Sequence, residues 1–145
     1  MTGDKIETAI NIGFACKLID EEMEMFIINK ESTKDIYAQM CEYLEKSKQI
    51  GNIRDTSVVI GGEQLSKIIK NYRNKKLLET FLKLTDNAVS VLACRVSPKQ
   101  KAEIVKLIIK AKDNITTLAI GDGANDVNMI TAAHIGVGIS GLEGQ

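Results

Sequence analysis

The sequence predicts an α/β domain with a mostly parallel sheet. Three observations carry that expectation. Helical and strand-like hydrophobic patterns alternate along the chain. The chain's 145 residues suit one domain with a single core. Hydrophobic residues make up 44% and charged residues 26%, an ordinary balance for a globular protein and too apolar for a disordered one.

The elements follow in order. Ile6, Ile10, Phe14 and Leu18 recur every four residues after Asp4, which predicts a helix, and Asp4 with Glu7 can form a capping box. Residues 23–29 read as a strand, 32–48 as a charged helix with a sparse apolar face, and 51–55 as a loop. A short β-branched strand spans 57–60 and is stopped by Gly61 and Gly62, and helices follow over 64–71 and 74–84. Residues 90–94 read as a buried strand. The strongest helix signal covers 97–112. Ser97 suits the N-cap, Pro98 the first helical position, and Gln100 completes a capping box, with Ile104, Val105, Ile108 and Ile109 as the apolar stripe. A strand over 116–120, a helix over about 124–133 and a last strand over 135–139 complete the pattern.

Charge and composition exclude several functions. Lys plus Arg and Asp plus Glu both number 19, and there is no basic stripe with interleaved aromatics, so nucleic acid is not an expected partner. The three cysteines, Cys16, Cys41 and Cys94, are widely spaced and form no CxxC, which predicts buried or half-buried free thiols in a reducing compartment. No basic-then-apolar leader occurs, and no apolar run nears the roughly 20 residues needed to cross a bilayer. A chain of this sequence is expected to be soluble.

The chemistry concentrates in Gly121-Asp122-Gly123-Ala124-Asn125-Asp126, where a strand gives way to a helix. In open α/β sheets ligands bind at the carboxyl ends of strands, and glycines let the backbone turn sharply and approach a ligand. Asp122, Asn125 and Asp126 place three hard oxygen-bearing side chains in one turn, a density that suits Mg²⁺. The same residues could instead only cap the helix. Two further segments weigh against that plainer reading. Lys101 lies in the first turn after Ser97-Pro98-Lys99-Gln100, where its ammonium can face a phosphoryl group. Thr2-Gly3-Asp4 precedes the first helix, where a hydroxyl and backbone amides can hold an anion.

These segments, in this order, resemble the phosphorylation domain of P-type ATPases. The matching stretches are Thr2-Gly3-Asp4-Lys5-Ile6-Glu7-Thr8-Ala9, then Arg95-Val96-Ser97-Pro98-Lys99-Gln100-Lys101-Ala102-Glu103, then Gly121 to Ile130, followed by Ala133-His134 and Gly136 to Gly144. Ala124 after the second glycine, and His134 where ion pumps usually carry an acid, favour the phospholipid-transporting (flippase) class. The resemblance is weak over 21–86, and Gly61 departs from the aspartate that such sequences often carry there.

The resemblance implies a haloacid-dehalogenase-like, Rossmannoid three-layer sandwich. It also implies an ATP-driven lipid translocase that cycles through an aspartyl-phosphate. By motif, Lys101, Asp126 and Asn125 are catalytic, and Thr2, Gly3 and Asp4 bind the phosphoryl group. Asp122 and Asp126 hold Mg²⁺, while ATP is bound mainly by a nucleotide domain outside this stretch. The nucleophile's DKTGT motif is absent, as is any Asp-x-Asp pair. The chain is therefore expected to be an excised piece that lacks the central nucleophile-bearing strand, and to be inactive alone. The neighbours of that strand would then present open edges, so a strand-mediated homodimer or a locally rearranged sheet is expected. The implied parent sits in a membrane with this piece on its cytoplasmic face. It takes a phospholipid through its membrane domain and works with an accessory membrane subunit.

Other readings stay in view. A free-standing haloacid-dehalogenase-like phosphohydrolase would share the lysine and acidic motif but needs its own nucleophile. Gly136-Val137-Gly138-Ile139-Ser140-Gly141 matches GxGxxG, although the fingerprint needs a following helix. A non-catalytic interaction module is the third. His134, the only histidine, has no serine–acid partner and reads as structural.

Overall fold

The computed structural model describes residues 3–71 and 73–140, with side chains from residue 6 onward. The chain forms two compact units, Met1–Arg95 and Val96–Gln145.

The first unit opens with helix α1 (Gly3–Ala15), followed by β1 (Glu24–Ile28), α2 (Thr33–Ile50), β2 (Thr56–Gly61), α3 (Gly62–Ile69), α4 (Lys75–Asp86) and β3 (Ser90–Cys94). The strands form one parallel sheet in the order β1-β2-β3, with Phe26 opposite Val58 and Ile60 opposite Ala93. The middle strand, Thr-Ser-Val-Val-Ile-Gly, is buried at every residue. A strand buried on both faces needs cover on both, which is why it reads as a continuous apolar run instead of an alternating one. Helices α2, α3 and α4 pack on one another and on β1 and β2, while α1 packs on β2 and β3. This is the expected three-layer architecture. Its core includes Phe26, Ile28, Ile36, Met40, Val58, Val59, Ile60, Leu65, Ile68, Leu77 and Leu84.

Local chemistry sets the joints. Ser32 caps α2 by accepting the Asp35 N–H at 3.1 Å. Ser57 Oγ lies 3.0 Å from Ser90 Oγ, and Ser90 Oγ donates to the Leu18 carbonyl at 2.7 Å, so two hydroxyls tie β2, β3 and the exit of α1 together. Among the described residues of α1, Gly13 is the buried one. A Cβ there would meet Ile19 at 3.0 Å and Leu92 at 3.1 Å, so α1 rests on β3 through its glycine.

The second unit holds α5 (Pro98–Ala111), β4 (Leu118–Gly121), a 3-10 turn (Ala124–Asp126), α6 (Val127–Ala132) and β5 (Ile135–Gly138). Strands β4 and β5 pair in parallel, with Leu118 opposite Ile135 and Ile120 opposite Val137. Helix α6 packs on both strands and on α5. The capping box at Ser97 and Gln100 is formed in full: Gln100 N–H donates to Ser97 Oγ at 3.2 Å, and Ser97 N–H donates to Gln100 Oε1 at 2.9 Å.

All pairings among the described residues are parallel, as expected, and they form two sheets, β1-β2-β3 in the first unit and β4-β5 in the second. Smaller expectations are corrected. The side chains of Phe14 and Leu18 are exposed, because α1 turns Gly13 to the sheet. Strand β3 is buried only at Cys94, since it is a sheet edge. Helix α5 buries Ala102, while Ile104, Val105, Ile108 and Ile109 are half-buried. The helix expected over 124–133 begins as a 3-10 turn. Cys94 is buried and Cys41 half-buried, but Cys16 is exposed at the end of α1. No helix among the described residues is long and apolar enough to cross a membrane.

Candidate active site

Strand β4 delivers the acidic turn. Ala119 is buried beneath α6, and Gly121 ends the strand. The chain then turns, with Asp126 N–H donating to the Gly123 carbonyl at 3.0 Å, and enters α6. Asp126 is buried at the head of that helix, while Asp122 and Asn125 are exposed on the turn.

Both oxygens of Asp126 are engaged. Oδ1 lies 2.6 Å from Lys101 Nζ, and Oδ2 accepts the Asp122 N–H at 3.3 Å. Lys101 comes from the first turn of α5, which the Ser97 cap and Pro98 fix in place. The Lys101 ammonium holds the Asp126 carboxyl below the usual carboxylate range. Burial opposes that shift, and the Asp122 and Gly123 amides add to it. Asp126 is therefore a carboxylate at neutral pH, and it anchors the lysine side chain at the carboxyl end of a strand.

The glycines act through space and not through backbone freedom. Among the described residues the only glycine with a positive φ is Gly51, and Gly123 is extended at φ −138°. A Cβ on Gly121 would stand 2.3 Å from Asp126 Cβ and 2.7 Å from its Oδ2. Gly121 thus makes room for Asp126, a role that the sequence pattern suggested for a ligand. The packing partner of a glycine has no signature in sequence, so that assignment needed coordinates.

Of the other expected residues, Gly3 opens α1, whereas Thr2 and the side chain of Asp4 lie outside the described residues. His134 is structural as read. Its Nδ1 accepts the Thr117 N–H at 3.1 Å, and its own N–H donates to Thr117 Oγ1 at 3.1 Å, which ties β5 to β4. Gly136 and Gly138 lie inside β5 instead of following a strand, so the GxGxxG match has no dinucleotide geometry. Gly141 lies outside the described residues.

Residues 6–140 match the family model of haloacid dehalogenase-like hydrolases. The chain belongs to the haloacid dehalogenase-like hydrolase family. Within it, this haloacid dehalogenase-like chain is 45% identical over 148 aligned residues to a phospholipid-transporting ATPase of Schizosaccharomyces pombe, and 43% identical to one of Saccharomyces cerevisiae. It is 42% identical to a probable phospholipid-transporting ATPase of Arabidopsis thaliana. Each alignment covers 99% of this chain but only 11%, 11% and 13% of the respective relatives.

Proposed function

We propose that this chain forms part of the phosphorylation domain of an ATP-driven phospholipid translocase and supplies the half-site that supports Mg²⁺ and the phosphoryl group. The observation that carries the reading is the Lys101–Asp126 pair at the end of β4, beside the exposed carboxylate of Asp122. Phosphoryl transfer needs positioning and charge neutralisation more than covalent help. Lys101 offers an ammonium that Asp126 already orients.

The donor set fits Mg²⁺. The ion takes one or two carboxylates and completes its shell with water and phosphate oxygens. Asp122 is exposed and free of the Lys101 contact, so it is the leading ligand. Asp126 is the second carboxylate for the ion, although its oxygens already serve Lys101 and the Asp122 and Gly123 amides. When bound, the metal would neutralise phosphate charge. This chain's own part is to hold Lys101, to exclude Asp126 from solvent and to present Asp122. Asn125 stands on the same turn and supports the phosphoryl group; for Thr2, Gly3 and Asp4 a phosphoryl-binding role rests on the sequence motif alone.

The wider reading follows from the relatives named as phospholipid-transporting ATPases. ATP is bound mainly by a separate nucleotide domain, and the parent is membrane-embedded with this piece on the cytoplasmic side. A phospholipid and an accessory membrane subunit engage the membrane part. No DKTGT motif occurs in this sequence, so alone it forms no aspartyl-phosphate.

Titration of Mg²⁺ into the chain, followed by amide shifts, tests the half-site. Coupled shifts at Asp122, Asn125, Asp126 and Lys101, deepened by beryllium fluoride once a DKTGT segment is restored, are the expected result. Weak, scattered responses from surface carboxylates, with and without the restored segment, would sink the reading.

A further inference from the structure

We infer that Gly136, in β5, is a positioning residue for the Lys101–Asp126 pair, acting through α6. The inference rests on reading that pair as the phosphoryl-supporting site.

The face of the β4–β5 sheet beneath α6 is made of the smallest residues available. Ala119 is buried there, opposite Gly136 in the parallel register, and Gly121 ends the strand beneath Asp126. The alternate residues, Leu118, Ile120, Ile135 and Val137, are all exposed. By strand alternation these large side chains lie on the opposite face from Ala119 and Gly136, so the helix backbone can settle directly on the sheet.

Gly136 sets how closely it settles. A Cβ there would lie 2.4 Å from the Ile130 carbonyl oxygen, 2.5 Å from Ile130 Cγ2 and 3.1 Å from the Ile130 carbonyl carbon. Two of these atoms are backbone, so no rotamer change relieves the contact. Ordinary contact distances are about 3.5 Å, so a methyl group at Gly136 lifts α6 by about 1 Å. Ile130 is one helical turn from Asp126, and α6 has only six residues (Val127–Ala132), too short to absorb the shift by bending. Helix α5 packs against α6, so lifting α6 disturbs the packing that brings the starts of the two helices, and with them Lys101 and Asp126, together. That displacement exceeds the roughly 0.5 Å within which a functional constellation has to be held, so it disturbs the geometry of the 2.6 Å pair. Gly138, two residues on, is a built-in comparison, because a Cβ there meets nothing within 4 Å.

The test compares Gly136→Ala with Gly138→Ala in the full chain by amide hydrogen exchange. Two probes separate positioning from folding. The Asp122 N–H donates to Asp126 Oδ2 and reports the carboxylate's place. The Ile139 N–H donates to the Gly121 carbonyl and reports the β4–β5 ladder. Gly136→Ala is expected to speed exchange at Asp122 by tenfold or more while Ile139 stays within about twofold, and Gly138→Ala changes neither. Unchanged Asp122 exchange overturns the inference. So does a common rise at Asp122 and Ile139, or loss of the folded spectrum, because either makes Gly136 a folding residue only. Mg²⁺ is then titrated into both variants and the parent. A parent that does not respond to Mg²⁺ refutes the functional reading, while the Asp122 and Ile139 comparison still decides the role of Gly136. A responsive parent should bind at least tenfold more tightly than Gly136→Ala, and equal binding counts against the inference.

Discussion

Lys101 Nζ and Asp126 Oδ1 stand 2.6 Å apart although 25 residues separate them in sequence. Each belongs to the start of a different helix, α5 or α6, so the pair exists only because those helices pack together. The lysine side chain remains 31% exposed and the aspartate only 11%. The carboxylate is thus the fixed member, and the ammonium is the member that can reach a ligand.

That asymmetry makes the pH behaviour predictable. The folded-state pKa of Asp126 lies below its ordinary value of about 3.9. A depressed carboxylate contributes stability above its unfolded pKa and loses it as pH falls through the folded one. Lys101→Met keeps the aliphatic stem and removes the charge. The largest cause of the depression is then gone and only the Asp122 and Gly123 amides oppose burial, so the Asp126 carboxyl should titrate higher than in the wild type. Carbon-13 carboxyl titrations of the two proteins check this. An unmoved Asp126 midpoint would mean that the lysine contact does not govern the site.

The start of α5 depends on its cap. Ser97 and Gln100 satisfy two of the backbone donors that a helix start leaves unpaired. Ser97→Ala should cost about 0.5–2 kcal/mol in the unfolding of the second unit, measured by urea denaturation with a probe in that unit. Because the same turn carries Lys101, the variant should also broaden the Lys101 side-chain resonances. Wild-type stability in Ser97→Ala would show that the capping box is not holding the turn.

The cores of the two units differ, and matched substitutions expose the difference. Ile60 is 1% exposed in the middle of the three-stranded sheet, whereas Leu118 is 59% exposed on β4. Ile60→Ala should destabilise the first unit by about 2–5 kcal/mol, by lost burial and a cavity. Leu118→Ala should stay within about 0.5 kcal/mol, as for other surface changes. Equal costs in urea unfolding would mean that Leu118 is covered in solution.

Much of this was legible in the sequence, and the rest was not for identifiable reasons. The bounds of β3 over 90–94 match because a compact apolar run marks them, although its burial does not, and the Ser97–Gln100 box matches in detail because local hydrogen bonding decides it. The acidic turn was legible because oxygen side chains and glycines cluster there. That Lys101 meets Asp126 followed from a family pattern and not from spacing. The exposure of Phe14 and Leu18 was hidden, because α1 seats a glycine on the sheet and a periodic apolar pattern cannot show it. The half-burial of Ile104, Val105, Ile108 and Ile109 was hidden likewise, since periodicity reports which face is apolar and not what covers it.

The open strands carry the last prediction. Among the described residues, β3 pairs only with β2 and β4 only with β5, so each has an edge without a partner strand. Val91 on β3 is exposed, as are Leu118 and Ile120 on β4. Unpaired edges flanked by apolar side chains are templates for another chain, and natural proteins blunt them with lysine. The chain should therefore associate with a second copy as its concentration rises. Val91→Lys and Leu118→Lys should each shift the balance toward monomer without changing the far-ultraviolet spectrum. Light scattering across a concentration series, combined with amide exchange of β3 and β4, is the decisive measurement. Protection of both edges that grows with concentration supports pairing through strands. A monomer at every concentration, with both edges exchanging freely, would show that exposure at these strands does not drive assembly.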